Sequence, residues 1–279
     1  MRLPFYLSTR LTAVRICHAN DDAAAYSAVG LLPPLEGNMP PKTDQGIIYT
    51  SCNDLYLDRY VLNLLRSARL HSPRQHFHLH LYDPAPDTRE SVLALAEKQN
   101  LTVSWEYSSK AKTHISMRGG MYFVCARFIR MWQLLDASRS QIFAIDADAM
   151  IRNDLTNGFS SQFSEDISLF LRRNRLNPLR KVLGAAVMIN STEIGLRFIR
   201  DCAVVCVYYI RAGGWEAIDQ LILYLVWRWY DRYVAGFRCG ELTMPFSDWH
   251  YSDNSYVWHA KGSRKDAQIP LDRVLGKSD

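Results

Sequence analysis

From residue 46 onward, the period of the apolar positions changes repeatedly. Ile47-Ile48-Tyr49-Thr50 is a short strand-forming run, after which Leu57, Val61, Leu64, Leu65 and Ala68 recur at helical spacing up to the break at Ser72-Pro73. Phe77, Leu79 and Leu81 then alternate with His76, His78 and His80 as far as Asp83-Pro84. Helical spacing returns over 88–99, and 101–107 again reads as strand. Strand and helix in alternation predict an α/β fold with a mostly parallel central sheet flanked by helices. Ligands of such sheets bind beyond the carboxyl ends of the strands, so those ends are the places to search.

Residues 1–44 break this rhythm. A Pro/Gly-rich stretch, Leu31-Leu32-Pro33-Pro34 through Gly46, reads as a loop or linker, which places the start of the folded domain near Gly46. The first twenty residues have the outline of a signal peptide, but Arg10 and Arg15 interrupt the apolar stretch. The expected division is therefore a dispensable leader over 1–44, a main domain over 45–265 and a tail over 266–279.

Composition narrows the class. With 279 residues, 48% hydrophobic and 22% charged, the chain can bury a globular core, which excludes a disordered, collagen-like or disulfide-scaffold protein. The longest uncharged apolar runs, over 202–210 and 221–227, fall short of the about 20 residues a membrane span requires. A net charge of +5 without a long Lys/Arg run argues against a nucleic-acid partner. Six scattered cysteines with no C-x-x-C read as free thiols of a reducing compartment, so a cytoplasmic location is expected.

The most informative strand, Gln141–Ile145, runs straight into Asp146-Ala147-Asp148. Positions i and i+2 of an extended chain share a face, so both carboxylates project together from the strand's end. They repel unless a cation compensates them, and Mg²⁺ or Mn²⁺ working with substrate phosphates suits such oxygen ligands. Alone, the motif more often marks a solvated loop after a buried strand. Near the C-terminus, His259-x-x-Gly262-x-x-Lys265 adds an imidazole able to ligate metal, a glycine that lets backbone approach phosphate, and an ammonium to neutralise it. Together the two segments describe a metal–diphosphate clamp.

Four stretches carry a family resemblance: Cys125-Ala126-Arg127-Phe128, the block from Ala144 through Asp146 and Asp148 to Leu155, Trp215-Glu216-Ala217-Ile218-Asp219-Gln220, and the His259–Lys265 motif. In this order and separation the chain resembles the family-8 retaining glycosyltransferases, which include glycogenin and bacterial lipooligosaccharide galactosyltransferases. The resemblance implies a single-domain glycosyltransferase A-type fold, with a Rossmann-like nucleotide-binding half and an acceptor half. It further implies that Asp146, Asp148 and His259 hold Mn²⁺, or Mg²⁺, while Gly262 and Lys265 meet the diphosphate. Arg127 would reach the nucleotide, and Ser51, Asn53 and Asp54 would line its base and ribose pocket. Asp219 and Gln220, with Glu216 nearby, would be the catalytic residues beside the transferred sugar. The implied activity is hexosyl transfer, with retention, from UDP-glucose or UDP-galactose to a glycan, glycolipid or protein acceptor.

Three departures bear on the donor. Asp266 follows Lys265 where the family commonly has Pro-Trp, Gly184-Ala185-Ala186 lacks the family's sugar-contacting asparagine, and Cys52 stands where an aspartate is frequent. Two other readings stay open. One is a nucleotidyltransferase, although Thr50–Asp54 offers no glycine for a phosphate loop; the other is a non-catalytic nucleotide-sugar-binding or scaffolding descendant.

Other motifs read more plainly. The three alternating histidines lack an interleaved carboxylate or cysteine and predict a partly packed strand face rather than a metal site. Cys202 and Cys206, and the aromatic run over 224–230, predict core packing. The cluster Arg172, Arg173, Arg175, Arg180 and Lys181 reads as a solvated loop or as a contact for an anionic acceptor or the inner face of a membrane, with only peripheral membrane contact in view.

Overall fold

A computed structural model describes residues 3–117, 119–160, 164–214 and 217–259. The chain enters through α1 (Leu3–Ala19), α2 (Asp22–Val29) and the short strand β1 (Glu36–Gly37). Then come β2 (Ile47–Cys52), α3 (Asp54–Tyr56), a π-helical turn over Leu57–Val61, α4 (Leu62–His71), β3 (His76–Tyr82), α5 (Pro86–Ala96) and β4 (Leu101–Glu106). The second half comprises α6 (Gly120–Ser138), β5 (Ile142–Ile145), β6 (Ala149–Ile151), α7 (Thr156–Ser160), β7 (Ile167–Leu171), β8 (Val182–Ile189), α8 (Glu193–Ala212), α9 (Ile218–Tyr233), β9 (Cys239–Glu241) and β10 (Val257–His259).

An eight-stranded sheet has the order β1-β4-β3-β2-β5-β8-β7-β9. The run β4-β3-β2-β5 is parallel, as the alternation of strand and helix predicts, and β8 reverses the direction between β5 and β7. Successive residues of a strand point to opposite faces, and here both faces are covered. Ile47, Tyr49, Ile142 and Val187 pack under α6, α8 and α9, whereas Ile48, Leu79, Phe143 and Met188 pack with Leu64 of α4 and Val92 of α5. A separate two-stranded ribbon pairs β10 with β6. Among the described residues no helix is long and apolar enough to cross a membrane.

The N-terminal segment differs from the expected linker and domain start near Gly46. It forms two helices whose inner residues Ala13, Cys17, Ala25 and Val29 belong to the main core. Asp21 caps α2 by accepting from the Ala24 N–H, the Tyr209 hydroxyl donates to Thr9 Oγ1 at 2.9 Å, and Arg200 donates to Asn20 Oδ1 at 2.8 Å and pairs with Asp22. The periodicity hides this packing because the fully buried positions of α1, Thr9, Thr12, Ala13 and Cys17, are small or polar, while Leu7, Leu11 and Val14 are exposed on another face.

The three histidines of β3 are buried, beyond the partly packed face that their alternation predicts. They form a ladder with the same-face residues of β4. His76 Nδ1 lies 2.7 Å from the Asn100 side chain, and Thr102 Oγ1 sits 2.9 Å from both His76 Nε2 and His78 Nδ1. Ser104 Oγ sits 2.9 Å from both His78 Nε2 and His80 Nδ1, and His80 Nε2 is 3.1 Å from Glu106. Arg130 and Tyr122 of α6 donate to Glu106 as well. Burial alone would raise the Glu106 carboxyl, but Arg130 and the hydrogen bonds from His80 and Tyr122 together outweigh it and hold the group at about 2. An ionised Glu106 accepts from His80 Nε2–H, so His80 Nδ1 accepts from Ser104, which accepts from His78. The same sense makes Thr102 the donor to His78 Nδ1, so His78 and His80 are both neutral Nε2–H tautomers, while His76 Nδ1 faces the Asn100 carbonyl oxygen.

Candidate active site

The chain turns as it leaves β5. The Asp146 N–H donates to the Ala185 carbonyl and the Ala149 N–H donates to the Asp146 carbonyl, both at 3.1 Å, which brings Asp146 and Asp148 round at the strand's carboxyl end. β10 runs antiparallel to β6 with His259 opposite Ala149, so the imidazole arrives beside the residue that follows Asp148. That register is held from outside the pair: the His259 N–H donates to the Asp248 carbonyl at 2.8 Å and the Arg152 N–H to the Tyr256 carbonyl at 2.9 Å. One ligand atom from each of Asp146, Asp148 and His259 lies within 4.8 Å of the others, so the group could hold a metal ion. Two carboxylate oxygens and an imidazole nitrogen suit a Mn²⁺- or Mg²⁺-class cation that keeps further positions for phosphate or water.

Arg127 of α6 ties this turn to the sheet and to α9. Its Nη1 donates to Asp146 Oδ1 at 2.7 Å, and its Nη2 donates to the Gly184 carbonyl at 2.6 Å and lies 3.4 Å from Asp219 Oδ2. Burial raises the Asp219 carboxyl from its ordinary value, against the pull of Arg127. Burial alone would lower Arg127, but Asp146 and Asp219 outweigh it and hold the guanidinium above its ordinary value. Asp219 lies in the first turn of α9, entered through Ala217 at φ 61° and ψ 22°. That left-handed backbone is uncommon for a residue bearing a side chain and turns the chain sharply into the helix.

Gly184 is a residue that sequence reasoning missed as a site component. A Cβ there would lie 2.7 Å from Arg127 Nη2 and 2.9 Å from Asp219 Oδ2, so the absence of a side chain makes room for the Arg127–Asp219 contact. Gln220 is beside it, with its Cγ 3.6 Å from the same point.

A cleft of about 450 Å³ opens at these strand ends, lined by Ser51, Asn53, Tyr56, Phe123, Arg127 and Asp146 among others. The Tyr82 hydroxyl lies 3.2 Å from both Ser51 Oγ and the Phe123 carbonyl, and its ring stacks on the Phe123 ring at 4.6 Å, fixing one wall. Asn53 Oδ1 accepts from the Tyr56 N–H at 3.2 Å and caps α3. Asp54 is directed elsewhere: its Oδ2 accepts from the Ala85 N–H at 3.0 Å, outside the cleft lining. Tyr56 and Phe123 were also missed, although Phe123 precedes Arg127 by one helical turn and so shares its face. Glu216, Gly262 and Lys265 lie outside the described residues.

No protein-family model and no curated protein sequence matches the chain. Solved structures do. The glycosyltransferase GlyE of Streptococcus pneumoniae TIGR4 superposes with a TM-score of 0.57 at 11% identity over 85% of this chain and 61% of its own. The galactosyltransferase LgtC, solved in complex with donor and acceptor sugar analogs, gives 0.57 at 14% identity, covering 82% of this chain and 95% of that one. The bifunctional glycosyltransferase WbbM gives 0.55 at 11% identity over 86% and 51%. The chain thus spans about three fifths of GlyE and half of WbbM. With a mixed eight-stranded sheet, helices on both faces and the Asp-x-Asp turn at the end of a central strand, the chain has the glycosyltransferase A fold.

Proposed function

We propose that this protein is a metal-dependent retaining glycosyltransferase that moves a hexose from a UDP-sugar to a glycan, glycolipid or protein acceptor. The observation that carries the reading is the convergence of Asp146, Asp148 and His259 within 4.8 Å, beside a cleft at the strand ends. Asp146, Asp148 and His259 would hold the cation, Mn²⁺ being the proposed ion, and when bound it neutralises diphosphate oxygens and the charge that grows on a departing nucleoside diphosphate.

The chain's own residues do the rest. Arg127 fixes Asp146 at 2.7 Å and keeps its carboxylate from turning away from the ligand group. Tyr56 and Phe123 flank a cleft of about 450 Å³ and offer aromatic faces on which a planar base can stack, with Ser51 and Asn53 on the same wall. Asp219, anchored by Arg127, accepts hydrogen bonds from hydroxyls of the transferred sugar and orients it, and Gln220 stands beside it. In the proposed assignment Glu216 would add a further carboxylate, and Gly262 and Lys265 would contact the diphosphate.

The test is turnover of a UDP-hexose panel by the full chain, read as UDP release with and without Mn²⁺ and with the product anomer assigned by NMR. Mn²⁺-dependent release from UDP-glucose or UDP-galactose that Asp148→Ala abolishes, with an α-linked product, is the expected result. Absence of release from every donor under both conditions overturns the proposal and favours a non-catalytic binding protein.

A further inference from the structure

The apolar residues of α1 are divided between two faces. Phe5 and Ile16, with the small residues Thr9, Ala13 and Cys17, face the core, while Leu7, Leu11 and Val14 are 45%, 71% and 40% exposed. These three sit at i, i+4 and i+7 and form one outward stripe. Opposite runs the outer edge of α9, where Trp229 is half-buried and Tyr233 is 62% exposed. Between the helices lies an open groove of about 1000 Å³. The aromatic run over 224–230 is therefore divided: Trp227 and Tyr230 enter the core, and Tyr224 and Trp229 line the groove.

The charged residues that line the groove have one sign. Arg10 stands on the α1 wall, Arg228 and Arg232 on the α9 wall, and no residue lining the groove is acidic. Asp231 offsets Arg228 in part, at 3.9 Å. Across α9 lie Arg173, paired with Glu241 at 3.4 Å, and Lys181, which share a second hollow with Tyr224 and Arg228.

From this arrangement we infer that the α1–α9 face is a docking surface for an anionic lipid bilayer. Leucine and valine insert among acyl chains, Trp229 and Tyr233 lie at the boundary with their polar edges towards water, and the arginines meet phosphate. A second copy is a poor occupant, because a two-fold pairing sets the same arginines against each other. The docking face and the Asp146–Asp148–His259 group are built from different residues, so the inference holds whether or not the catalytic reading does.

Co-sedimentation of the full chain with phosphatidylcholine vesicles, with and without phosphatidylglycerol, tests it. Binding is expected to the anionic vesicles and to fall with added salt. Each arginine near an anionic surface strengthens binding roughly fivefold, so Arg10→Gln with Arg232→Gln weakens it roughly 25-fold. Leu7→Ser with Leu11→Ser weakens it too, with an unchanged circular dichroism spectrum, since both side chains are already exposed. Failure of the folded protein to bind anionic vesicles, or wild-type binding by either double variant, overturns the inference. So does a dimer in sedimentation that Leu11→Glu dissolves.

Discussion

Arg127 is the residue on which the candidate site turns, because one guanidinium holds Asp146 of the metal group, the Gly184 carbonyl of β8 and Asp219 of α9. Gly184→Ala places a methyl against the far end of Arg127 and against Asp219, a clash that side chains relieve by moving. Turnover should fall on the order of 10²-fold, as misplaced site residues do, with little change in melting temperature. Steady-state kinetics beside a thermal melt would reveal the split, and equal losses in both would count against it. Because burial raises the Asp219 carboxyl, activity that needs its ionised form should decline, as pH falls, sooner than an ordinary carboxylate would cause. Asp219→Asn should lower kcat and remove that acid limb from the pH profile; an unchanged limb would assign it to another group. The Asp-x-Asp pair was legible because strand periodicity is local. Gly184 was not, since nothing in a single sequence says which distant side chains will claim the space above a glycine.

At the level of elements, the β3–β4 ladder makes a case that alternation hinted at without resolving. Alternation put three imidazoles on one face, but their partners Thr102, Ser104 and Glu106 come from the neighbouring strand, through the register His78 opposite Thr102 and His80 opposite Ser104. Burial holds His76, His78 and His80 below the ordinary histidine value. The unfolded chain therefore takes up protons below about pH 6.5 that the folded protein refuses. The stabilisation is complete above that pH and is lost as pH falls towards the folded values, by up to about 1.4 kcal/mol per histidine per pH unit. Urea titrations from neutral pH down to about pH 5 would measure the slope, and a flat midpoint would refute it. Ser104→Ala leaves His78 Nε2 and His80 Nδ1 without their shared hydroxyl and should cost about 1–3 kcal/mol.

For the whole molecule, the consequence lies in the N-terminal helices. A chain beginning at Met39 would uncover the surfaces of α8 and α9 that Ala13, Cys17, Ala25 and Val29 now cover, and would strand Arg200 without Asn20 and Asp22. The loss, on the order of 5 kcal/mol, is comparable to the stability of an ordinary domain. Such a chain should therefore aggregate or melt at a much lower temperature. A truncated protein that melts cooperatively at the full-length temperature would return residues 1–38 to the role of a dispensable leader.

What the sequence determined by itself was whatever acts over a few residues: the alternation of strand and helix, the two carboxylates of a strand end on one face, and the absence of a long apolar span. The family resemblance added His259 to that pair. Tertiary structure alone decided the meetings: β10 laid beside β6 so that His259 reaches Asp148, Arg127 shared between the turn after β5 and α9, and α1 turned with Ala13 and Cys17 inward and Leu7 and Leu11 out. The reason is physical. Periodicity records which face of an element is apolar, whereas long-range pairing and packing select which elements face one another, and that choice belongs to the whole chain.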